Sequence, residues 1–380
     1  MTGAPAPGGA APGAAPPGAP PGPWIVSPRF DLALLAAPAL ATAVAFALPN
    51  PRDGVPLWAF LLLVVAFDVA HVWATLYLGY LDPEERARRR LLLFLPLPLV
   101  FLAAFRLHQH SPPLYWTVLA YVAIHHFAAQ QWGFVALYRL RAGDRDPFDR
   151  GLDKLALWTG ALGPVLWWHT RPEAGFDWFG HGEHFLFELP PALRKDIAAV
   201  MLGVAVAWLA RQAALLRLGR LAPGKVLWMV AAWASWGLGV AWIDHPLVAL
   251  ACINLLHGIP FLALVWRRVN HRWEGADEDP GAPRALAWLA QRRRWLAFYG
   301  LLLALGLGEE ALWDGLVWHR YGLLGVEVQF AGALESAVVA LLALPQTAHY
   351  LLDGFLWRLD GSNPDLEAAL GLPPRGAPRA

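Results

Sequence analysis

The feature that most constrains this chain is a succession of apolar runs, most of them close to the twenty or so residues that a helix needs to cross a bilayer. Ten can be read: Asp31–Leu48, Val55–Tyr80, Leu91–Phe105, Leu114–Tyr138, Leu155–His169, Ile197–Leu216, Val226–Ile243, Pro246–Trp266, Trp295–Gly308 and Ala331–Trp357. Backbone in hydrocarbon must satisfy its own hydrogen bonds, which helices do within one segment. The expected fold is therefore all-α, a polytopic transmembrane helix bundle of about ten spans. Runs three, five and nine are short, and without some of them the count falls to eight.

Composition agrees with an apolar solvent. The 380 residues are 57% hydrophobic and only 16% charged, against about 25% charged in soluble domains. Many of the 21 tryptophans stand near the ends of runs, where an amphipathic ring rests among headgroups. A net charge of +1 is too balanced for a nucleic-acid partner. The single cysteine, Cys252, lies inside a run and excludes both a disulfide and a thiolate cluster. Residues 1–29, rich in Ala, Gly and Pro, are expected to be a disordered tail without the charged and apolar regions of a signal peptide. Residues 30–358 are then the bundle, and residues 359–380 a loose C-terminal tail.

Loop charge gives an independent test of the count, because lysine and arginine collect in cytoplasmic loops. The loops after spans 2, 4, 6 and 8 carry 20 basic residues, and the five opposite loops carry only Arg52, Arg106, Arg171, Arg194, Lys195 and Arg320. Ten spans with both termini cytoplasmic fit that alternation. The expected setting is a bacterial cytoplasmic membrane, with the lipid bilayer as the chief partner.

Polar side chains at bilayer depth are costly and usually face a bundle interior. Here they fall on even-numbered spans. Span 2 reads FDVAHVWAT with Asp68 and His71, and span 4 reads AIHHFAAQQWGF with His125, His126, Gln130 and Gln131. Span 8 reads CINLLHGIP with Asn254 and His257, and span 10 reads PQTAHYLLDGFLWR with Gln346, His349 and Asp353. Counted from the basic end of each span, the four histidine positions fall within about 6 Å of one depth at 1.5 Å per residue. Acceptors stand three or four residues from each imidazole, on the same helix face. Such acceptors orient metal-bound histidines, so His71, His125 or His126, His257 and His349 are candidate metal ligands, with Asp68 as a ligand or orienting group. Gln130, Asn254, Gln346 and Asp353 are candidates for supporting hydrogen bonds.

With no Cys or Met near the layer, imidazole and carboxylate suit non-haem iron, one or two ions, or another transition metal. Haem held by two histidines is the rival cofactor. A proton-coupled transporter using a His/Asp relay is the rival function, with Gly258 and Pro260 as the one hint of a broken helix. His181, Glu183 and His184, in the segment Phe176–Pro190, resemble a ligand cluster and are better read as an interfacial turn. Phe176–Pro190 and Gly308–Gly322, both aromatic and acidic, are candidates for a lid.

The layout of single histidines on several spans resembles the histidine-ligated, non-haem iron oxygenases of membranes, among them the Brp/Blh-type carotenoid-cleaving dioxygenases. The resemblance covers layout and no motif. It implies an oxygenase, hydroxylase or desaturase acting on an apolar small molecule, a lipid or isoprenoid, that enters from the bilayer and draws on an electron donor.

Overall fold

The computed structural model describes residues 22–51, 54–176, 178–179, 181–276 and 282–372. Among them all regular structure is helical. Ten apolar segments appear where the ten runs lie. They are α1 (Pro28–Ala47), α2 (Leu57–Tyr80), α3 (Arg90–His110), α4 (Pro112–Arg141), α5 (Pro147–His169), α6 (Pro191–Arg217), α7 (Pro223–Trp236), α8 (Pro246–Trp273), α9 (Arg292–Trp318), and a tenth divided into α10 (Gly332–Leu342) and α11 (Leu344–Leu356). A last short helix, α12, spans Pro364–Ala369. Six of these, α1, α2, α3, α6, α8 and α9, are long and apolar enough to cross a membrane.

The helices are not equivalent. α8 is buried over 78% of its most apolar stretch, whereas α3 and α6 are buried over only 17%. α8 is thus the central post, and the outer helices turn residues such as Leu40, Phe46, Leu91, Leu99 and Leu202 outward. Apolar surface of that extent is untenable in water and ordinary against lipid.

Three sequence expectations are corrected. The short runs belong to longer helices: α3 continues through Arg106, His108 and His110, α9 through Glu309, Glu310 and Asp314, and α5 begins before Leu155. Helix geometry continues past a polar residue when that residue finds a partner. His108 meets Ser336 at 3.0 Å and Glu309 accepts from the Trp73 indole at 2.7 Å. The tenth run breaks at Ala343 because Pro345 has no N–H to donate back. Finally, residues 359–372 are docked and not loose. Arg268 of α8, only 1% exposed, grips Asp365 of α12 through Nε at 2.6 Å and Nη2 at 3.1 Å. The Arg141 guanidinium donates to the Leu370 and Gly371 carbonyls. At the other end of the chain, residues 22–29 also pack, with Ile25 buried beside α4 and α7. The rest of both expected tails, residues 1–21 and 373–380, lies outside the described residues.

Some loop charges are likewise structural. Arg139 and Lys225, both buried, converge on Asp153 (Lys225 Nζ at 3.0 Å), and Asp153 also accepts from the Trp208 indole at 2.7 Å. The network ties α4, α5, α6 and α7 together at one end of the bundle. Buried charges persist only when paired in this way.

Candidate metal centre

Four helices bring one imidazole each to a single point. His71 sits on the single α-helical turn Ala70–Trp73 of α2, between two π-helical stretches, Phe60–Val69 and Leu76–Tyr80. His257 follows the π-helical turn Ala251–Leu255 of α8. Such widened turns rotate the side chains that follow and recur at functional sites. His126 comes from α4, whose start is set by Ser111, which accepts from the Leu114 N–H at 3.3 Å. His349 comes from α11, where the break at Ala343 re-aims the chain.

All four histidine residues are at most 5% exposed. Each offers one ring nitrogen, and the four nitrogens lie within 4.8 Å of one another. The Nε2 of His71 stands 2.9 Å from that of His257 and 3.0 Å from that of His349. An imidazole nitrogen has one in-plane position, filled by either a proton or a lone pair. His71 Nε2 therefore cannot make well-directed bonds with both neighbours at once. A cation shared by the lone pairs satisfies all of them. Metal–nitrogen bonds of about 2.1 Å at right angles would hold neighbouring nitrogens about 3.0 Å apart. The observed spacing fits that arrangement.

The opposite edges of the rings support it. His349 Nδ1 meets Thr75 Oγ1 at 2.9 Å, and the tautomer in which Nδ1 donates to that hydroxyl leaves Nε2 free. His71 Nδ1 faces Asp68 Oδ1 at 3.7 Å. Asp353 lies between two rings, 3.6 Å from His349 Nδ1 and 3.9 Å from His126 Nε2. These carboxylate separations exceed a hydrogen bond. Asp68 Oδ1, His71 Nδ1, His126 Nε2, His257 Nδ1 and Asp353 Oδ1 are all buried without a hydrogen-bond partner. So many orphaned atoms at one place are unusual in a native interior, and they border the converging nitrogens on the outer edges of the rings. Aromatic rings close the site: Phe127 lies 4.0 Å from His257 and Tyr350 stacks on His126 at 4.3 Å. Phe261 presents its edge to both His71 and His349 at 5.4 Å.

Of the candidates read from the sequence, His71, His126, His257 and His349 come together. His125 does not. One residue and about 100° away from His126, it is exposed and packs on Trp158 at 5.5 Å. Asn254 donates to the Leu63 carbonyl at 3.2 Å, and so clips α8 to α2 without touching His257. Gln346 donates to the Tyr350 hydroxyl at 2.7 Å instead of supporting His349. Both amide atoms of Gln130 are buried without a hydrogen-bond partner, so it does not serve His126. Asp353 is 9% exposed and belongs to the layer. The sequence reasoning missed Thr75, Phe127, Phe261 and Tyr350. Thr75 had a signal, standing four residues after His71 and hence on the same helix face.

The His181–His184 segment does not converge. Glu183 accepts from the backbone N–H groups of Phe179 and His181, and the His184 N–H donates to Thr117 at 3.1 Å. His181 stacks on Trp318 at 4.1 Å. Burial, with Arg320 and His108 nearby, pushes it down to about 4, so it packs as a neutral ring. Asp177 and Gly180 of this segment lie outside the described residues. Compared with protein-family models, with curated proteins and with solved structures, the chain matches none.

Proposed function

We propose that the chain is an integral membrane metalloenzyme in which His71, His126, His257 and His349 hold a single non-haem iron ion. In this reading it oxidises a lipid or isoprenoid as an oxygenase, hydroxylase or desaturase. The observation that carries the proposal is the convergence of three Nε2 atoms at 2.9 and 3.0 Å in a sealed interior. Bound iron would supply dioxygen chemistry that side chains lack. The chain's own residues would orient the imidazoles through Asp68, Thr75 and Asp353 and exclude water with Phe127, Phe261 and Tyr350. The substrate's apolar character follows from the setting, since helices that face lipid surround the site.

One ion is favoured over two. Four nitrogens within 4.8 Å match the breadth of one coordination sphere, about 4.2 Å across. A pair of ions about 3.5–4 Å apart would need more ligands than four imidazoles. Haem is disfavoured because His71 Nε2 stands only 2.9 and 3.0 Å from its two neighbours, closer than the about 4 Å that two imidazoles on one haem iron would need at about 2 Å per iron–nitrogen bond.

The test is elemental analysis with electron paramagnetic resonance on purified protein. Close to one iron per chain is expected, falling together in the alanine variants of all four histidines. Wild-type protein that retains function with no transition metal would overturn the reading in favour of a His/Asp proton relay.

A further inference from the structure

The four helices that carry the histidines all finish at one end of the bundle, α2 at Tyr80, α4 at Arg141, α8 at Trp273 and α11 at Leu356. Residues 359–372 lie across that end and take hold of each in turn. Asn363, fully buried, donates through Nδ2 to the Phe355 and Arg358 carbonyls at 3.0 and 2.9 Å, which closes the last turn of α11. Arg268 on α8 grips Asp365, and its neighbour Arg267 donates to the Ala369 carbonyl at 2.7 Å. Arg141, the last residue of α4, holds the Leu370 and Gly371 carbonyls. Through Nε it also holds the Trp24 carbonyl at 3.2 Å, so both docked ends of the chain meet on one guanidinium. Arg89, in the turn that follows α2, donates to the Ser362 carbonyl at 2.7 Å and to Asn363 Oδ1 at 2.6 Å. The inward side of the segment is apolar. Leu366 and Leu370 pack in one cluster with Phe134 of α4, Leu256 and Leu264 of α8, and Trp357. Leu256 directly precedes His257, and Trp357 stands one turn beyond Asp353.

We propose that residues 359–372 are a latch over the histidine centre, and that a metal ion enters and leaves the cluster when the latch lifts. The proposal rests on the reading of the four histidines as a metal site. An ion cannot reach them through the lipid-facing sides of the bundle, because charge at bilayer depth is costly, so it must come from an end. At the latched end Asp353 stands 3.6 and 3.9 Å from two of the imidazoles, and an arriving ion meets that carboxylate before the full ligand set. The latch is built to open as a unit. Its polar hold is by guanidinium and amide groups on carbonyls and on one carboxylate, contacts that water replaces at modest net cost. A terminal segment can also open locally while the helices beneath it stay folded.

The full chain loaded with ferrous iron under nitrogen tests this through two rates, withdrawal of the iron by a water-soluble chelator and reloading of the stripped protein. Asp365→Asn should raise both about a hundredfold, the factor expected when one partner of a buried ion pair is lost, and should leave their ratio, the affinity, unchanged. Hydrogen exchange of residues 363–372 verifies release of the segment, and Asp365→Asn combined with Leu370→Asp releases it if the single variant does not. Asp149→Asn, which breaks the Arg211 pair between α5 and α6, controls for general loosening and should change neither rate. In metal-stripped protein, modification of His126 and His349 by diethyl pyrocarbonate should quicken as the segment is released. That arm needs no metal, so a wild type that takes up no iron would sink the metal reading and leave the latch to be judged by histidine access. A released segment with histidine modification at the wild-type rate would overturn the proposal. So would a weaker affinity with the loading rate unchanged, which is the mark of a merely structural clamp.

Discussion

A Cβ placed on Gly258 would lie 2.4 Å from the carbonyl oxygen of Phe67, so α8 and α2 touch backbone to backbone one residue from His257. This close approach is what allows His257 and His71 to meet. Gly258, taken from the sequence as a hint of a broken transporter helix, is explained by packing alone. Gly258→Ala should force the helices apart and cost about 2 kcal/mol of stability. Metal content should fall further than stability does, because the ligand geometry depends on that separation. Thermal unfolding in detergent, read beside metal analysis, checks both.

His125 and His126 should separate cleanly. His126→Ala removes a ring from the cluster and should lose most bound metal. His125→Ala removes an exposed ring against Trp158 and should leave metal content within error of wild type. Equal losses would mean that α4 is rotated from the orientation described here.

Thr75 should behave as the group that fixes the His349 ring. Thr75→Val keeps the shape but removes the hydroxyl that meets Nδ1, which should weaken metal affinity about tenfold. Thr75→Ser should retain it. Competition against a chelator of known affinity measures the difference.

The membrane architecture and the four-histidine layer were legible in the sequence for a physical reason. Apolar runs report the solvent directly, and helical rise converts residue counts into depth, so His71, His126, His257 and His349 fall at one level by residue count alone. What depth cannot supply is azimuth. Asn254 and Gln346 had the right spacing from their histidines, yet their amides found other partners, the Leu63 carbonyl on α2 and the Tyr350 hydroxyl one turn along α11. Asp353 stands only five residues before Arg358, yet it is only 9% exposed, because residues 359–372 fold back over that end of the helix, with Asn363 donating to the Phe355 and Arg358 carbonyls. The docked segment itself has little apolar periodicity; it is held by arginines far away in sequence, Arg268 on Asp365, 97 residues apart, and Arg141 on the Leu370 and Gly371 carbonyls.

That clamp should respond to acid. Burial pushes the Asp365 carboxyl up, but Arg268 and Arg272 outweigh it and hold it below the usual carboxylate range. A depressed carboxylate contributes stability that is present above its unfolded value, about 3.9, and is lost as pH falls through the lower folded value. Docking of residues 363–372 should therefore persist at neutral pH and loosen below about pH 4. Asp365→Asn should loosen it at pH 7, since it leaves Arg268 buried without its counter-ion, at a cost of about 3 kcal/mol. Hydrogen exchange of this segment, corrected for the intrinsic rate at each pH, reads both effects. Unchanged protection in Asp365→Asn would show that apolar packing of Leu366 and Leu370 holds the segment by itself.

Asp68 and Asp353 separate an enzyme from a transporter. Asp68 faces one ring, His71, whereas Asp353 stands between His126 and His349 and is the more buried of the two. In a metal centre each carboxylate orients imidazoles, so Asp68→Asn and Asp353→Asn should each lower metal affinity by about 10–100-fold. The Asp353 variant should suffer the larger loss, because two ligands lean on it. In a proton relay, both substitutions would abolish coupling, since an amide cannot take up and release the proton, and metal content would be irrelevant to either. Metal occupancy and function should therefore be measured together in the two variants. A graded loss of metal, Asp353 beyond Asp68, with function falling in proportion, supports the enzyme. Loss of function in both with occupancy unchanged would place the conducted proton, not a metal, at the centre of the bundle.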